Sequence, residues 1–532
     1  MHLSYKKLPR PFSESRMQKR SSVPVDRRKM PTSIAELGED ILWEIFLMNA
    51  DLDAVLDLGG LYEPGKEPPR SWRNLILGSP SIWGRVIHLD FFDQVKGHWR
   101  EEVMRRTGDA PLCLKGEITV PRTEDFFLDL LETEWHRIRK IDVRLYTEYV
   151  FEDDVWSPLL LPAPSLESFN LGYSYYRSLS IPKGRLFSNN APLLREFRAT
   201  GIPFDVNSRW VQQLRHITLS APFSVPEILR ILKEMQFLTS IDLQLGIRAG
   251  GEITNEIQDV ALPRLRNIVL TTHLMTGLKI LESISPASGC GLTMVSHSTR
   301  DALMSQVELD RAVSVFARFS CNYFAVYPPK RLALGLTSQS FSIYDLLDSF
   351  RLPSSPSFKF AVQLHQSLAW EANRQLIRSL MHSPLTSLHL MELVLAQNAV
   401  EICGDEFLKL TQSMLGLGVL QTDTLDLLPP LCQMPSTFPI PFPALHTLKI
   451  VTSTKISSYL IEMFLSWRQK CEKPIEVLDL TFSSVSLLGN LSNLNSFKGM
   501  RIRWSQQFEA HEYVCGIGTG KRLIFGRFED DI

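Results

Sequence analysis

From about residue 135 one short pattern recurs along the chain: apolar, two variable, apolar, one variable, apolar. It reads Ile138-Arg-Lys-Ile141-Asp-Val143, Leu166-Glu-Ser-Phe169-Asn-Leu171, Leu214-Arg-His-Ile217-Thr-Leu219, Leu238-Thr-Ser-Ile241-Asp-Leu243 and Leu265-Arg-Asn-Ile268-Val-Leu270. It returns as Leu385-Thr-Ser-Leu388-His-Leu390, Leu445-His-Thr-Leu448-Lys-Ile450 and Ile475-Glu-Val-Leu478-Asp-Leu480, with a weaker copy at Leu194-Arg-Glu-Phe197-Arg-Ala199. Alternation over the last three positions predicts a short strand with one buried face. Several copies follow a proline, as at Leu161-Pro-Ala-Pro, Ala191-Pro-Leu, Leu262-Pro-Arg and Phe442-Pro-Ala. Proline suits an entry turn ahead of a strand. Between the strands, residues 226–235, 370–381 and 456–467 space their apolar side chains by three and four, which predicts helices packed behind the strands.

The first six copies end at residues 143, 171, 199, 219, 243 and 270. In period and in its Leu-x-x-Leu-x-Leu strand, the array resembles a leucine-rich repeat. One such unit cannot bury its apolar face alone, so neighbours must stack. Between 270 and 390 the candidates are Gly289-Cys-Gly-Leu292-Thr-Met294, Cys321-Asn-Tyr-Phe324-Ala-Val326 and Ser355-Pro-Ser-Phe358-Lys-Phe360, at mostly longer steps, so this half is expected to be irregular. The asparagine or cysteine ladder that follows the strand in regular repeats is absent. An α/β domain of unrelated strand–helix pairs is the alternative reading.

Ahead of the repeats, apolar residues at 34, 37, 41, 42, 45 and 46 fall on one helical face, with Glu39, Asp40 and Glu44 off it. Ser71-Trp72-Arg73-Asn74-Leu75-Ile76 has helical spacing again, and Gly78 with Pro80 is expected to stop that helix. Leu37-Gly38-Glu39-Asp40-Ile41-Leu42 and Ser71-Trp72-Arg73-Asn74-Leu75 resemble the two ends of an F-box, the helical module that docks on the Skp adaptor of Skp–cullin–F-box ubiquitin ligases. Gly78-Ser79-Pro80-Ser81-Ile82-Trp83 and residues 99–114 are similar to the continuation found in F-box proteins of mushroom-forming fungi, where a helix leads into the first repeat strand. Gly38 stands where the family has proline, and residues 51–70 carry Gly59-Gly60, Pro64-Gly65 and Pro68-Pro69, so the middle segment reads as helix to Leu58 and as loop after it.

The fold class expected is therefore α/β: a small N-terminal helical F-box-like module followed by an irregular leucine-rich-repeat-like solenoid. Its divisions are a basic disordered tail (1–32), the module (33–83), a linker and helix (84–112), the repeat domain (113–510) and a C-terminal cap or tail (511–532). The resemblance implies binding to the Skp adaptor and cullin complex, with Leu37, Ile41, Leu42, Ile45, Phe46, Trp72 and Leu75 forming or supporting the docking helices. It implies a protein target held by the repeats. In each copy the variable residue between the last two apolar ones points away from the core, which nominates Asn170, Thr218, Asp242, His389, Lys449 and Asp479 as target-binding positions. The same helices and strands would also serve a non-catalytic interaction scaffold that does not bind the adaptor.

Composition adds exclusions. The 532 residues hold 57 Lys+Arg against 58 Asp+Glu, a net charge of −1, which argues against nucleic acid or an anionic membrane as partner. Residues 1–30 contain nine Lys/Arg and two acidic residues and lack an apolar core, so they do not read as a signal peptide. Lys19-Arg20 and Arg27-Arg28-Lys29 fit a nuclear localisation patch, a transit peptide or an unspecific solvated tail. Seven cysteines, no two within 25 residues of one another, exclude CxxC zinc sites, argue against a disulfide scaffold, and point to an intracellular protein, cytoplasmic or nuclear. No stretch of about 18 apolar residues is present.

Catalytic constellations fail on spacing. Gly516-Ile-Gly518-Thr-Gly520-Lys521 has Cys515 where a phosphate loop needs its first glycine and Arg522 where it needs Ser or Thr. His511-Glu512-Tyr-Val-Cys515 breaks the His-Glu-x-x-His zinc pattern, and no Gly-x-Ser-x-Gly elbow occurs. No enzyme activity, metal or cofactor is expected.

Overall fold

Strands form where short runs alternate between side chains that leave water and side chains that keep it. The computed structural model describes residues 43–44, 70–85, 87–92, 97–146, 153–173, 185–199, 202, 204–220, 223–245, 259–297, 305–346, 355–364, 369–383, 392–396, 404–433, 439–507 and 509–525. The strands of the first half are β1 (Ile87–His88), β2 (Leu112–Ile118), β3 (Ile138–Leu145), β4 (Ser168–Tyr173), β5 (Glu196–Ala199), β6 (His216–Ser220), β7 (Ser240–Gln244), β8 (Val260–Leu262), β9 (Asn267–His273), β10 (Ile284–Pro286) and β11 (Gly291–His297). Those of the second half are β12 (Arg331–Thr337), β13 (Ser340–Asp345), β14 (Phe358–Gln363), β15 (Glu392–Ala396), β16 (Val419–Thr422), β17 (Thr447–Ile450), β18 (Val477–Leu480), β19 (Arg501–Gln506) and β20 (Glu509–Val514).

Eighteen of these join in one sheet, parallel for most of its width; β8 and β10 form a parallel pair of their own. From β1 to β7, and on through β9 to β11, each strand pairs in parallel with the one before it. The order then breaks. β11 pairs in parallel with β14, β13 lies antiparallel between β14 and β12, and β12 pairs in parallel with β15. The 21-residue helix Gln306–Val326 thus carries the chain past two strand positions, and a meander brings it back. The helix Ala369–Met381 then leads on towards β15. From β15 to β19 the parallel order resumes, and β20 turns back along β19 at the sheet's end.

The repeated pattern and the strands coincide for the copies ending at 143, 171, 199, 219, 243, 270, 294, 360, 450 and 480. Cys321-Asn-Tyr-Phe324-Ala-Val326 is a correction: these residues are the last turns of the Gln306–Val326 helix. That helix buries Leu309, Ala312, Val315, Phe316, Phe319, Tyr323 and Phe324, a helical period with which a three-residue strand motif can coincide. Its start is fixed by a capping box, in which Ser305 Oγ accepts from the Glu308 amide and the Glu308 carboxylate accepts from the Ser305 amide. The copy at 385–390 lies outside the described residues, and the strand next to β12 is β15. The expected helices over 226–235, 370–381 and 456–467 appear as Val225–Glu234, Ala369–Met381 and Ser458–Lys470.

Register turns the apolar positions into ladders. Leu114, Ile141, Phe169, Phe197, Ile217, Ile241, Ile268, Leu292 and Phe358 are cross-strand neighbours in that order, and all are buried. In the second half the ladder is Leu332, Leu393, Leu420, Leu448, Leu478, Ile502 and Tyr513. Burying each such side chain stabilises by about 1.5–3 kcal/mol, which is why the strands stack in this register. Gly291 opens β11 where a Cβ would meet the Ser357 backbone oxygen at 2.6 Å and nitrogen at 2.7 Å. Glycine in a strand marks such a close backbone approach. Gly291→Ala is expected to lower unfolding stability by about 1–3 kcal/mol in a denaturant titration, because the β11–β14 pairing must open to admit the methyl group.

At the N-terminal edge, Trp43 and Glu44 are helical, and helices Arg70–Leu77 and Pro80–Arg85 follow. The Gly78 amide closes the first of these on Asn74 O at 2.9 Å. Pro80 does more than end that helix: it opens the next, as proline's fixed φ allows at a first helical position. Trp72 and Ile82 are buried in a cluster of their own, with Trp43, Leu75 and Ile76 packed on it, separate from the large core behind the sheet. Trp83 packs on that large core instead, donates from Nε1 to Ile76 O at 2.8 Å, and meets Trp99 edge-on.

A polar row and a cationic cavity on the sheet

The residues nominated for target binding fall on one line. Register places Asp142, Asn170, Arg198, Thr218 and Asp242 side by side across β3 to β7, and Gln421, Lys449, Asp479, Arg503 and Glu512 side by side across β16 to β20. His389 lies outside the described residues, as do Leu37, Ile41, Leu42, Ile45 and Phe46. Trp72 is buried in the N-terminal cluster and Leu75 is half-buried on it.

Most of the row is occupied by its own neighbours. Asn170 Nδ2 donates to Asp142 Oδ1 at 2.6 Å, and Asp479 Oδ1 accepts from the amide and hydroxyl of Thr481. Lys449 Nζ lies 3.5 Å from Glu392 Oε1 and 4.5 Å from the centre of the Phe482 ring. Thr218 and Asp242 differ, because they open onto a cavity of about 940 Å³.

This cavity sits where β6, β7 and β9 begin. Its floor is Thr218, Ser240, Asp242, Asn267 and Val269; Arg198 enters from β5. The turns before β9 and β11 add Pro263, Arg264, Arg266, Ala287, Ser288 and Gly289, and Tyr327 closes it from the end of the long helix. Gly289 holds φ +73°, and a Cβ there would strike Val326 at 2.9 Å, so only glycine lets this turn lie against the helix end.

Three arginines therefore face one aspartate. No ion pair or hydrogen bond engages the Arg198 or Arg266 guanidinium among the described residues, while Arg264 stacks 5.1 Å from the Phe237 ring centre. Burial pushes the Asp242 carboxyl up from its ordinary pKa, against the opposing pull of Gln244 and Arg198. Burial also lowers the His216 imidazole; Glu196, 3.9 Å away, opposes this, and Arg198 and Arg215 add to it. His216 is thus kept from adding to the positive charge at neutral pH.

Three buried polar atoms here have no hydrogen-bond partner among the described residues: Asp242 Oδ1, Asn267 Oδ1 and His216 Nδ1. The other Asp242 oxygen accepts from Gln244 Nε2 at 3.0 Å. A buried polar atom left unmatched costs about 1–3 kcal/mol, so groups that bring hydrogen bonds to these three, water included, are favoured here.

Thr218 and Asp242 were reachable from the repeat pattern; Arg198, His216, Arg264, Arg266 and Asn267 were not among the nominated residues. Arg198 holds the nominated position in the weaker copy. His216 sits two residues before Thr218, and Asn267 two before Val269, the equivalent position of its own copy, and a strand's period of two puts each pair on one face. Only the placement of the turn residues Arg264 and Arg266 needed the fold itself.

No family model and no curated protein matches the chain. Among the described residues, no group of three or more His, Cys, Asp or Glu side chains could hold a metal ion, and no helix is long and apolar enough to cross a membrane.

Proposed function

We propose that the protein is the target-recognition subunit of a Skp–cullin–F-box type ubiquitin ligase. Its N-terminal helices dock the Skp adaptor, and a leucine-rich-repeat-like sheet presents a protein target on its polar face. It works in the cytoplasm or nucleus, through proximity and orientation, and performs no chemistry of its own. The observation that carries this reading is the separate Trp72–Ile82 cluster, which gives the F-box-like residues a core distinct from that of the sheet.

A pull-down of the full chain with purified Skp adaptor tests it. The wild type should retain the adaptor, and Trp72→Ala/Leu75→Ala should lose it while the circular dichroism of the sheet is preserved. A folded wild-type chain that retains no adaptor would leave the polar face as an interaction scaffold outside any ligase.

A further inference from the structure

We infer that the cavity at the start of β6, β7 and β9 is a specificity pocket for an acidic peptide segment, its carboxylates paired by Arg198, Arg264 and Arg266 and its N–H groups taken by Asp242 and Asn267. This deepens the target-binding half of the proposed function and rests on it; adaptor docking is a separate matter.

Charge sets the sign. Three guanidinium groups against one carboxylate attract an anion, and the planar fork of arginine suits a carboxylate. The unmatched atoms set the class. Asp242 Oδ1 and Asn267 Oδ1 are acceptors, so a ligand that brings donors as well as negative charge matches the site best. A peptide with acidic side chains supplies both, since every backbone amide is a donor. A phosphodiester backbone has no N–H to offer. Tyr327 and the His216 imidazole are the only rings among the lining residues, too few to make a stacking platform for a row of bases. The volume of about 940 Å³ admits a short chain segment rather than a single ion. The site also lies at one end of the polar row, so a bound segment can continue past Arg198 towards Asn170 and Asp142.

The test is fluorescence anisotropy of the full chain with a labelled oligoglutamate peptide, beside an oligoglutamine peptide of equal length and a single-stranded oligothymidylate. Oligoglutamate should bind at least about tenfold tighter than oligoglutamine. Arg266→Gln and Arg198→Gln should each weaken it about tenfold, the loss expected for one charge-assisted pair. Arg105→Gln, on the exposed face of the Gly97–Thr107 helix and off the sheet, should change nothing. Equal binding of the two peptides, equal binding of the oligothymidylate, or indifference to both cavity arginines would overturn the inference. Capture of the Skp adaptor by the same preparations reports separately on the ligase reading. Retained capture with no peptide discrimination refutes the pocket alone; lost capture with discrimination intact refutes the ligase alone.

Discussion

Replacing Arg468 with alanine is expected to destabilise the protein by about 3–5 kcal/mol, among the largest losses for any single side chain in the second half of the sheet. Arg468 is fully buried on the Ser458–Lys470 helix. Its Nε donates to Lys473 O at 2.8 Å, Nη1 to Pro441 O and Phe442 O at 3.1 and 3.2 Å, and Nη2 to Leu445 O at 2.8 Å. Those carbonyls belong to the turn that ends the helix and to the loop that starts β17. One side chain therefore bonds four inward-facing carbonyls, of which Phe442 O also accepts from the Leu445 amide at 3.0 Å. Burial pulls its pKa down to about 10, so it stays charged at neutral pH and the carbonyl dipoles solvate it. Alanine would remove the donors and leave the acceptors. Arg468→Lys should recover only part of the loss, since an ammonium cannot span the same fork. Chemical denaturation checks this, and a loss under about 1 kcal/mol for alanine would mean that water replaces the guanidinium without penalty.

Phe197→Ala is expected to cost a similar about 3–5 kcal/mol, by a different route. Phe197 is buried on β5, stacked 5.6 Å from Phe169 and 5.1 Å from both Phe204 and Trp210, with Phe187 at 6.5 Å. Phe187 holds φ +56°, a strained setting for a bulky residue, and its own ring is fully buried in this cluster. Removing the Phe197 ring opens a void and takes away packing that holds Phe187 in place. The next residue is Arg198, so the variant should also weaken oligoglutamate binding, because β5 loses the anchor that fixes the arginine over the cavity. Phe197→Leu, which keeps most of the volume, should cost about 1.5 kcal/mol or less. A denaturant midpoint that barely moves for alanine would show that the aromatic cluster closes around the gap.

What the sequence made legible follows from where its signal was local. Strands such as β4, β6 and β7 carry their whole pattern within six residues, and proline announces β4, β5, β9 and β17. β16 escaped because its copy, Leu417-Gly-Val-Leu420-Gln-Thr422, ends on a threonine. Thr422 is buried and satisfies its hydroxyl by donating to Thr424 O at 2.9 Å, so a polar residue fills an apolar position without penalty. The first two strands of the meander, β12 and β13, escaped although Leu332, Leu334 and Leu336, then Phe341 and Ile343, alternate plainly, because neither carries the apolar lead-in three residues ahead of its last pair. The cavity could not be read at all from one repeat. It gathers single residues from strands and turns spaced through more than a hundred positions, and only the register shows that they meet.

The meander also changes how the sheet can be assembled. In a plain stack every new strand adds to the one made just before it, so growth can start anywhere and spread. Here β15 pairs with β12, as Arg331 opposite Glu392 shows, and β11 pairs with β14, as Leu292 opposite Phe358 shows. Strands β15 to β20 reach the first half of the sheet only through β12, β13 and β14. The three strands β12, β13 and β14 act as a keystone. While they hold, the half that carries the cavity and the half anchored by Arg468 share one cooperative unit. When they open, each half becomes a sheet with a bare edge, free to pair with the wrong neighbour.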